Sequence, residues 1–158
     1  MVWRTVLRLL GRTDDAQDCL QQVFLGALEI SRRQRVRNWP GLLRRLATAR
    51  AIDRLRERMK ERRLYESNVD LDALERNRDD PVDNLHADEL ASHLRAALGQ
   101  LPARQAEVFA LHFFEQMSHR TIGRTLALKT NAVGVLLHEA RQRLRGLLIS
   151  PNERRADR

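Results

Sequence analysis

The chain has 158 residues, enough for one ordinary domain or two small ones. Lys and Arg number 29 against 21 Asp and Glu, a formal charge of +8, and a field that positive favours polyanions such as nucleic acid. The lone cysteine, Cys19, excludes an internal disulfide and fits a cytoplasmic setting, and the sequence holds no apolar run of membrane-spanning length, so no membrane insertion is expected.

Only 4% of residues are aromatic, and no stretch alternates polar with apolar at length, which predicts an all-α chain. The first periodic segment is "DDAQDCLQQVFLGALE", Asp14 to Glu29. Ala16, Cys19, Leu20, Val23, Phe24, Ala27 and Leu28 recur at helical intervals and predict one buried stripe, with Thr13 as N-cap. Cys19 within that stripe reads as a small buried hydrophobe. On another face Asp18, Gln21 and Leu25 stand at i, i+3 and i+7, either as ordinary surface or as a docking strip for a basic partner. A basic loop, Ser31 to Asn38, follows, and Trp39 is expected in the core rather than as a base-stacking platform.

"LLRRLATARAIDRLRERMKERR" reads as one long helix, with Leu42, Leu46, Ala49, Ile52, Leu55 and Met59 as its apolar stripe. Arg44, Arg50, Arg54 and Arg58 project elsewhere, and guanidinium groups so placed can follow a phosphate backbone. From Ser31 to Arg63 there are 13 basic residues against three acids; from Glu66 to Glu89 there are nine acids against two arginines. The acidic stretch includes "NRDDPVDN", Asn77 to Asn84, poor in apolar residues and interrupted by Pro81. It predicts a flexible acidic linker between two small helical domains.

After the linker, "LGQLPARQAEVFALHFF" opens a helix near Pro102 that is apolar on several sides. In "MSHRTIGRTLALKTNAVGVLL" the apolar residues Ile122, Leu126, Leu128, Val133 and Leu136 are spaced four, two, five and three. No single helix or strand gives that order. A helix capped by Ser118, a turn at Ala127 to Lys129 and a second helix from Thr130 or Asn131 do, which is a helix-turn-helix. Gly123 lets its two helices approach, and Ala127 occupies a position that glycine would ease. In the second helix Val133, Leu136, Leu137, Ala140, Leu144 and Leu147 predict the buried stripe. Asn131, Gly134, His138, Arg141 and Arg145 predict the opposite face, polar at its start to read base edges and basic further on to hold phosphate. A plain helical hairpin with a solvated face would carry the same spacing.

Taken in order, these segments resemble bacterial sigma factors of the extracytoplasmic-function group. "DAQDCLQQVFL" is similar to the helix with which that family docks on core RNA polymerase, "LLRRLATARAIDRLRER" to its −10-binding helix, and "ALGQLPARQAEVFALHFFEQMSHRTIGRTLALKTNAVGVLLHEARQRLR" to its −35-binding domain. The resemblance implies a polymerase-docking and −10 domain over 1–65, an acidic linker over 66–86, a helix-turn-helix domain over 87–150 and a basic tail over 151–158. It implies polymerase contacts at Asp18, Gln21, Gln22 and Leu25, with Phe24 as a buried anchor. It places −10 DNA contacts at Arg35, Arg37, Arg50 and Arg54, beside Asp53, and −35 contacts at Lys129, Thr130, Asn131, Gly134, His138, Arg141 and Arg145. Core RNA polymerase and promoter DNA are the implied partners, together with an anti-sigma factor.

The chain departs from the family's pattern in several places. Gln17 and Gln22 replace usual glutamates, Ala49 a frequent asparagine, Thr121-Ile122-Gly123 the usual Glu-Ile-Ala, and Gly134-Val135-Leu136 a lysine, serine and arginine. Members carry a longer first helix before "VWRTVLRLLG", so this start is expected to be shortened relative to theirs. No nucleophile–base motif, phosphate-cradling glycine loop or metal-binding spacing is present in the sequence, so neither enzymatic activity nor a cofactor is expected. The functional expectation is a sigma factor that directs transcription initiation. The alternatives are a stand-alone helix-turn-helix regulator that acts without polymerase, and an interaction protein that restrains a sigma factor.

Overall fold

The structure is a computed structural model that describes residues 1–68 and 85–153. Seven helices and no strand make up the described residues: α1 (Val2–Leu10), α2 (Thr13–Arg33), α3 (Trp39–Asn68), α4 (Leu85–Gln100), α5 (Ala103–Phe113), α6 (His119–Leu126) and α7 (Thr130–Glu153). Of the stretch 66–86 expected as linker, 66–68 end α3 and 85–86 begin α4, while 69–84 lie outside the described residues, as do 154–158 of the basic tail.

In the first half α1 and α2 pack on α3, the 30-residue spine. Helix α1 buries Val2, Thr5, Val6, Leu9 and Leu10 and closes at Gly11 in a left-handed conformation. Its C-terminal carbonyls, left without helical partners, attract cations. Arg58 of α3 donates to the Leu10 carbonyl at 2.9 Å, and Arg95 of α4 reaches the Arg8 carbonyl at 3.4 Å. Burial lowers the pKa of both guanidinium groups. Helix α3 is capped by Asn38, whose Oδ1 accepts the Gly41 N–H at 3.0 Å.

Three expectations change here. The edge of α2 that packs is Ala16, Cys19, Val23 and Ala27, while Phe24 (51% exposed) and Leu28 face solvent, so Phe24 is not a buried anchor. The small residues on that edge bring α2 close to its neighbours, and the larger ones fall on the flank. Trp39 is also outside the core, 45% exposed in the first turn of α3. Helix α2 runs on to Arg33, which leaves only Gln34 to Asn38 as the basic loop.

The second half folds around α5, α6 and α7, with Val108, Leu111, Met117, Ile122, Leu126, Val133 and Leu137 forming one apolar cluster. The other cluster crosses the two halves. It joins Val6, Leu9 and Leu10 of α1 and Ala51, Ile52 and Leu55 of α3 to Leu98 of α4, Leu101, Ala106 of α5 and Leu144 of α7. Gly99 makes the close approach possible, because a Cβ there would stand 3.0 Å from the Leu55 carbonyl oxygen. Polar contacts seal the same seam. Thr5 Oγ donates to Glu115 at 2.6 Å, Arg44 lies 3.6 Å from the other Glu115 oxygen, and Arg8 donates to the Phe114 carbonyl at 2.7 Å.

Candidate nucleic-acid interface

Helix α2 presents Asp18, Gln21, Gln22 and Leu25 to solvent on one face, with Leu25 62% exposed, and Phe24 and Leu28 extend that face with apolar area. Asp18 and Gln22 also border an open, strongly polar cleft of about 600 Å³ between α2 and α3. Arg50, Asp53, Arg56 and Lys60 line its other side. Cys19 sits at its base; burial, opposed by Arg50 and reinforced by Asp53, pushes the thiol up to about 11, so it stays protonated at neutral pH.

The predicted −10 contacts divide. Arg35 and Arg37 stand exposed on the short loop, and Arg50 is exposed on α3. Arg54 is half-buried and held by acids: its Nε donates to Asp15 at 2.9 Å and its Nη1 reaches Glu57 and Glu61 at 3.3 and 3.2 Å. Arg58 donates to the same Asp15 carboxylate. With three carboxylates around it, the Arg54 guanidinium ties α3 to α2 through Asp15.

The helix-turn-helix forms as the spacing predicts. Ser118 Oγ accepts the Thr121 N–H at 3.2 Å, and the turn after α6 is closed by the Leu128 N–H on the Gly123 carbonyl at 2.8 Å. Ala127 takes φ 55°, ψ 45°, the left-handed conformation in which an L-residue is strained. Gly123 is required: a Cβ there would lie 2.7 Å from the Leu128 carbonyl oxygen.

On α7 the structure exposes Asn131, His138, Arg141 and Arg145, half-buries Gly134, and leaves Lys129 and Thr130 exposed at the helix start. The buried stripe is Val133, Leu137, Ala140 and Leu144. At about 100° per residue, Arg141 stands only about 70° from the mean direction of that stripe. It lies on the flank, its guanidinium 5.1 Å from the centre of the Phe113 ring. Gly134 is on the same flank, where a Cβ would come 3.9 Å from His119 Nδ1. Over residues 130–142 of α7, Val135 and Gln142 point furthest from that stripe, with Asn131, His138 and Glu139 beside them, and His138 and Gln142 are paired at 3.1 Å. The sequence pattern missed Val135 and Gln142, although the angle opposite the apolar stripe marks them.

Two helical units in this order have known counterparts. Residues 1–61 match the family description "Sigma-70 region 2", and residues 93–144 match "Sigma-70, region 4". The chain belongs to the sigma-70 family. The ECF RNA polymerase sigma factor SigE of Mycolicibacterium smegmatis is 30% identical over 147 residues, which places the likeness in the extracytoplasmic-function group. That alignment takes in 93% of this chain and 57% of the relative's length. The fold also aligns with a solved structure of the sigma factor RpoE in complex with the anti-sigma factor NepR, from Bartonella quintana. That match has a TM-score of 0.52 and 18% identity, over 99% of this chain and 91% of the other. In sigma-70 terms, α1 to α3 supply region 2 with its polar cleft, and α5 to α7 supply the region 4 helix-turn-helix.

Proposed function

We propose that this protein is a promoter-recognition subunit: it docks on core RNA polymerase through region 2 and directs transcription initiation with two separate grips on DNA. The boundaries follow the sequence division, with docking and −10 contacts in 1–65, a tether in 66–86 and the −35 reader in 87–150. The outward face of α2, Asp18, Gln21, Gln22 and Leu25 with exposed Phe24 and Leu28, takes the polymerase. Arg35, Arg37 and Arg50 hold displaced single strand, where backbone charge and stacking supply affinity. Helix α7 enters the major groove, where each base pair presents a distinct pattern of donors and acceptors. An anti-sigma factor is a further partner in this reading, which is one of cytoplasmic, non-catalytic action.

The observation that carries the proposal is the apolar area on α2. A stand-alone regulator has no use for Phe24, Leu25 and Leu28 in water on a helix remote in sequence from its reader. Co-purification with bacterial core polymerase tests it. Binding lost on Asp18→Arg, and specific transcription from a selected promoter, support the proposal. Sequence-specific duplex binding with no polymerase retained supports the stand-alone regulator instead.

A further inference from the structure

In the first two turns of α7, Val135 is the residue at the outward crest whose side chain carries no hydrogen-bonding group, and it is 57% exposed. It stands about 170° from the mean direction of the buried stripe, at the crest of the helix and in its first two turns. A β-branched residue there gains nothing for the helix, since it loses side-chain freedom against the preceding turn. Its neighbours on the crest are polar. Asn131 lies one turn before it, about 6 Å along the axis, and His138 one turn after.

We infer that Val135 is a specificity-determining residue which reads the methyl group of one thymine in the −35 duplex, about two base-pair steps from the base that Asn131 contacts. The inference rests on the promoter-reading function proposed above. In the major groove the apolar feature of a base pair is the thymine C5 methyl; the remaining edge atoms are donors and acceptors. An isopropyl group pressed against the cytosine amino group or the guanine O6 would strip water from them and return no hydrogen bond. Against a thymine methyl it buries apolar area on both partners. Val135 therefore favours thymine both by attraction and by exclusion, whereas Asn131 selects by hydrogen bonding.

The test uses the full chain assembled with core polymerase. A duplex library randomised upstream of a fixed −10 element yields the preferred −35 sequence, and each thymine in it is then replaced by deoxyuridine, which removes only the methyl. The expected result is one position where deoxyuridine weakens binding about fourfold, the size of one buried methyl. At that position Val135→Ala binds thymine and deoxyuridine duplexes equally. Val135 is exposed, so the variant keeps its fold, checked by helical circular dichroism. If no position responds to deoxyuridine, or if Val135→Ala keeps the penalty, the inference is overturned while promoter reading stands. If no upstream sequence is enriched at all, both are overturned.

Discussion

Asp15 and Asp18 are one turn apart on α2, and their surroundings differ. The Asp15 side chain is 12% exposed and serves Arg54 and Arg58, with Arg12 at 3.9 Å. Asp18 faces solvent. Taking away one partner of a buried ion cluster leaves the others desolvated and uncompensated, which costs far more than the pair contributes. Asp15→Ala is thus expected to destabilise the fold by about 3 kcal/mol in urea unfolding. Asp18→Ala is expected to change stability by less than about 0.5 kcal/mol, as at ordinary surface sites. The reverse ranking would mean that Asp15 is not structural. For the proposed polymerase binding the order is expected to invert, since Asp18 is exposed while Asp15 is held in the ion cluster.

Elements are decided at their corners, and the turn between α6 and α7 sets the angle at which α7 leaves α6. Glycine within a helix normally costs about 1 kcal/mol relative to alanine. At Gly123 the sign reverses, because the added methyl meets a backbone carbonyl at 2.7 Å that cannot rotate away. Gly123→Ala is expected to lower the melting temperature and weaken duplex binding together. Ala127→Gly relieves a left-handed alanine worth about 1–2 kcal/mol, partly offset by greater freedom in the unfolded chain, for a net gain of about 0.5 kcal/mol. Thermal melts of the two variants should move in opposite directions. This corner was legible in the sequence because Leu128 breaks the apolar period there. The exposure of Phe24 and Leu28 was not. Periodicity gives the direction of an apolar stripe but not its width, and Phe24 lies about 95° round from the narrow edge that packs. The apolar stripe of α3 is buried at Ile52 and Leu55 and half-buried at Leu42, Leu46, Ala49 and Met59, but the packed surface is wider than that stripe for a related reason. The helix touches α1, α2, α4 and α5, so it buries Ala47, Thr48 and Ala51 on sides where no large apolar residue signals contact.

At the scale of the whole molecule, the sequence separates two halves at the acidic stretch, and the structure joins them in one core. The seam depends on matched faces of α1, α3, α4 and α5 that are distant in sequence, and no local period reports such a match. Glu107 of α5 lies in it, near Asp53 and Arg45 of α3, and burial raises its pKa against the pull of Arg104. The folded chain therefore holds this proton to higher pH than the unfolded chain does. Stability from this group rises as pH falls through the raised value and is lower above it. Urea unfolding should show Glu107→Gln more stable than the parent at pH 7, with the difference shrinking toward pH 5; the exposed Arg104 contact given up is worth little. The seam also bears on the proposed two-grip function. Elements at −10 and −35 are about 25 base pairs, roughly 85 Å, apart on B-form DNA. A compact chain of this length has a radius of gyration of about 15 Å, so it cannot hold both while its halves share a core. If the proposed two-grip reading holds, the halves part on a promoter, and Glu115 is the residue whose loss should ease that step. It accepts from Thr5 and faces Arg44, both in region 2. With fluorophores at the exposed positions Gln17 and Arg143, the free protein should give high energy transfer that falls when holoenzyme binds promoter. Glu115→Ala should lower transfer in the free protein, while Glu115→Gln, which keeps an acceptor for Thr5, should lie between. Transfer that is unchanged on promoter binding would show that the core stays shut and that one of the two DNA grips is wrongly assigned.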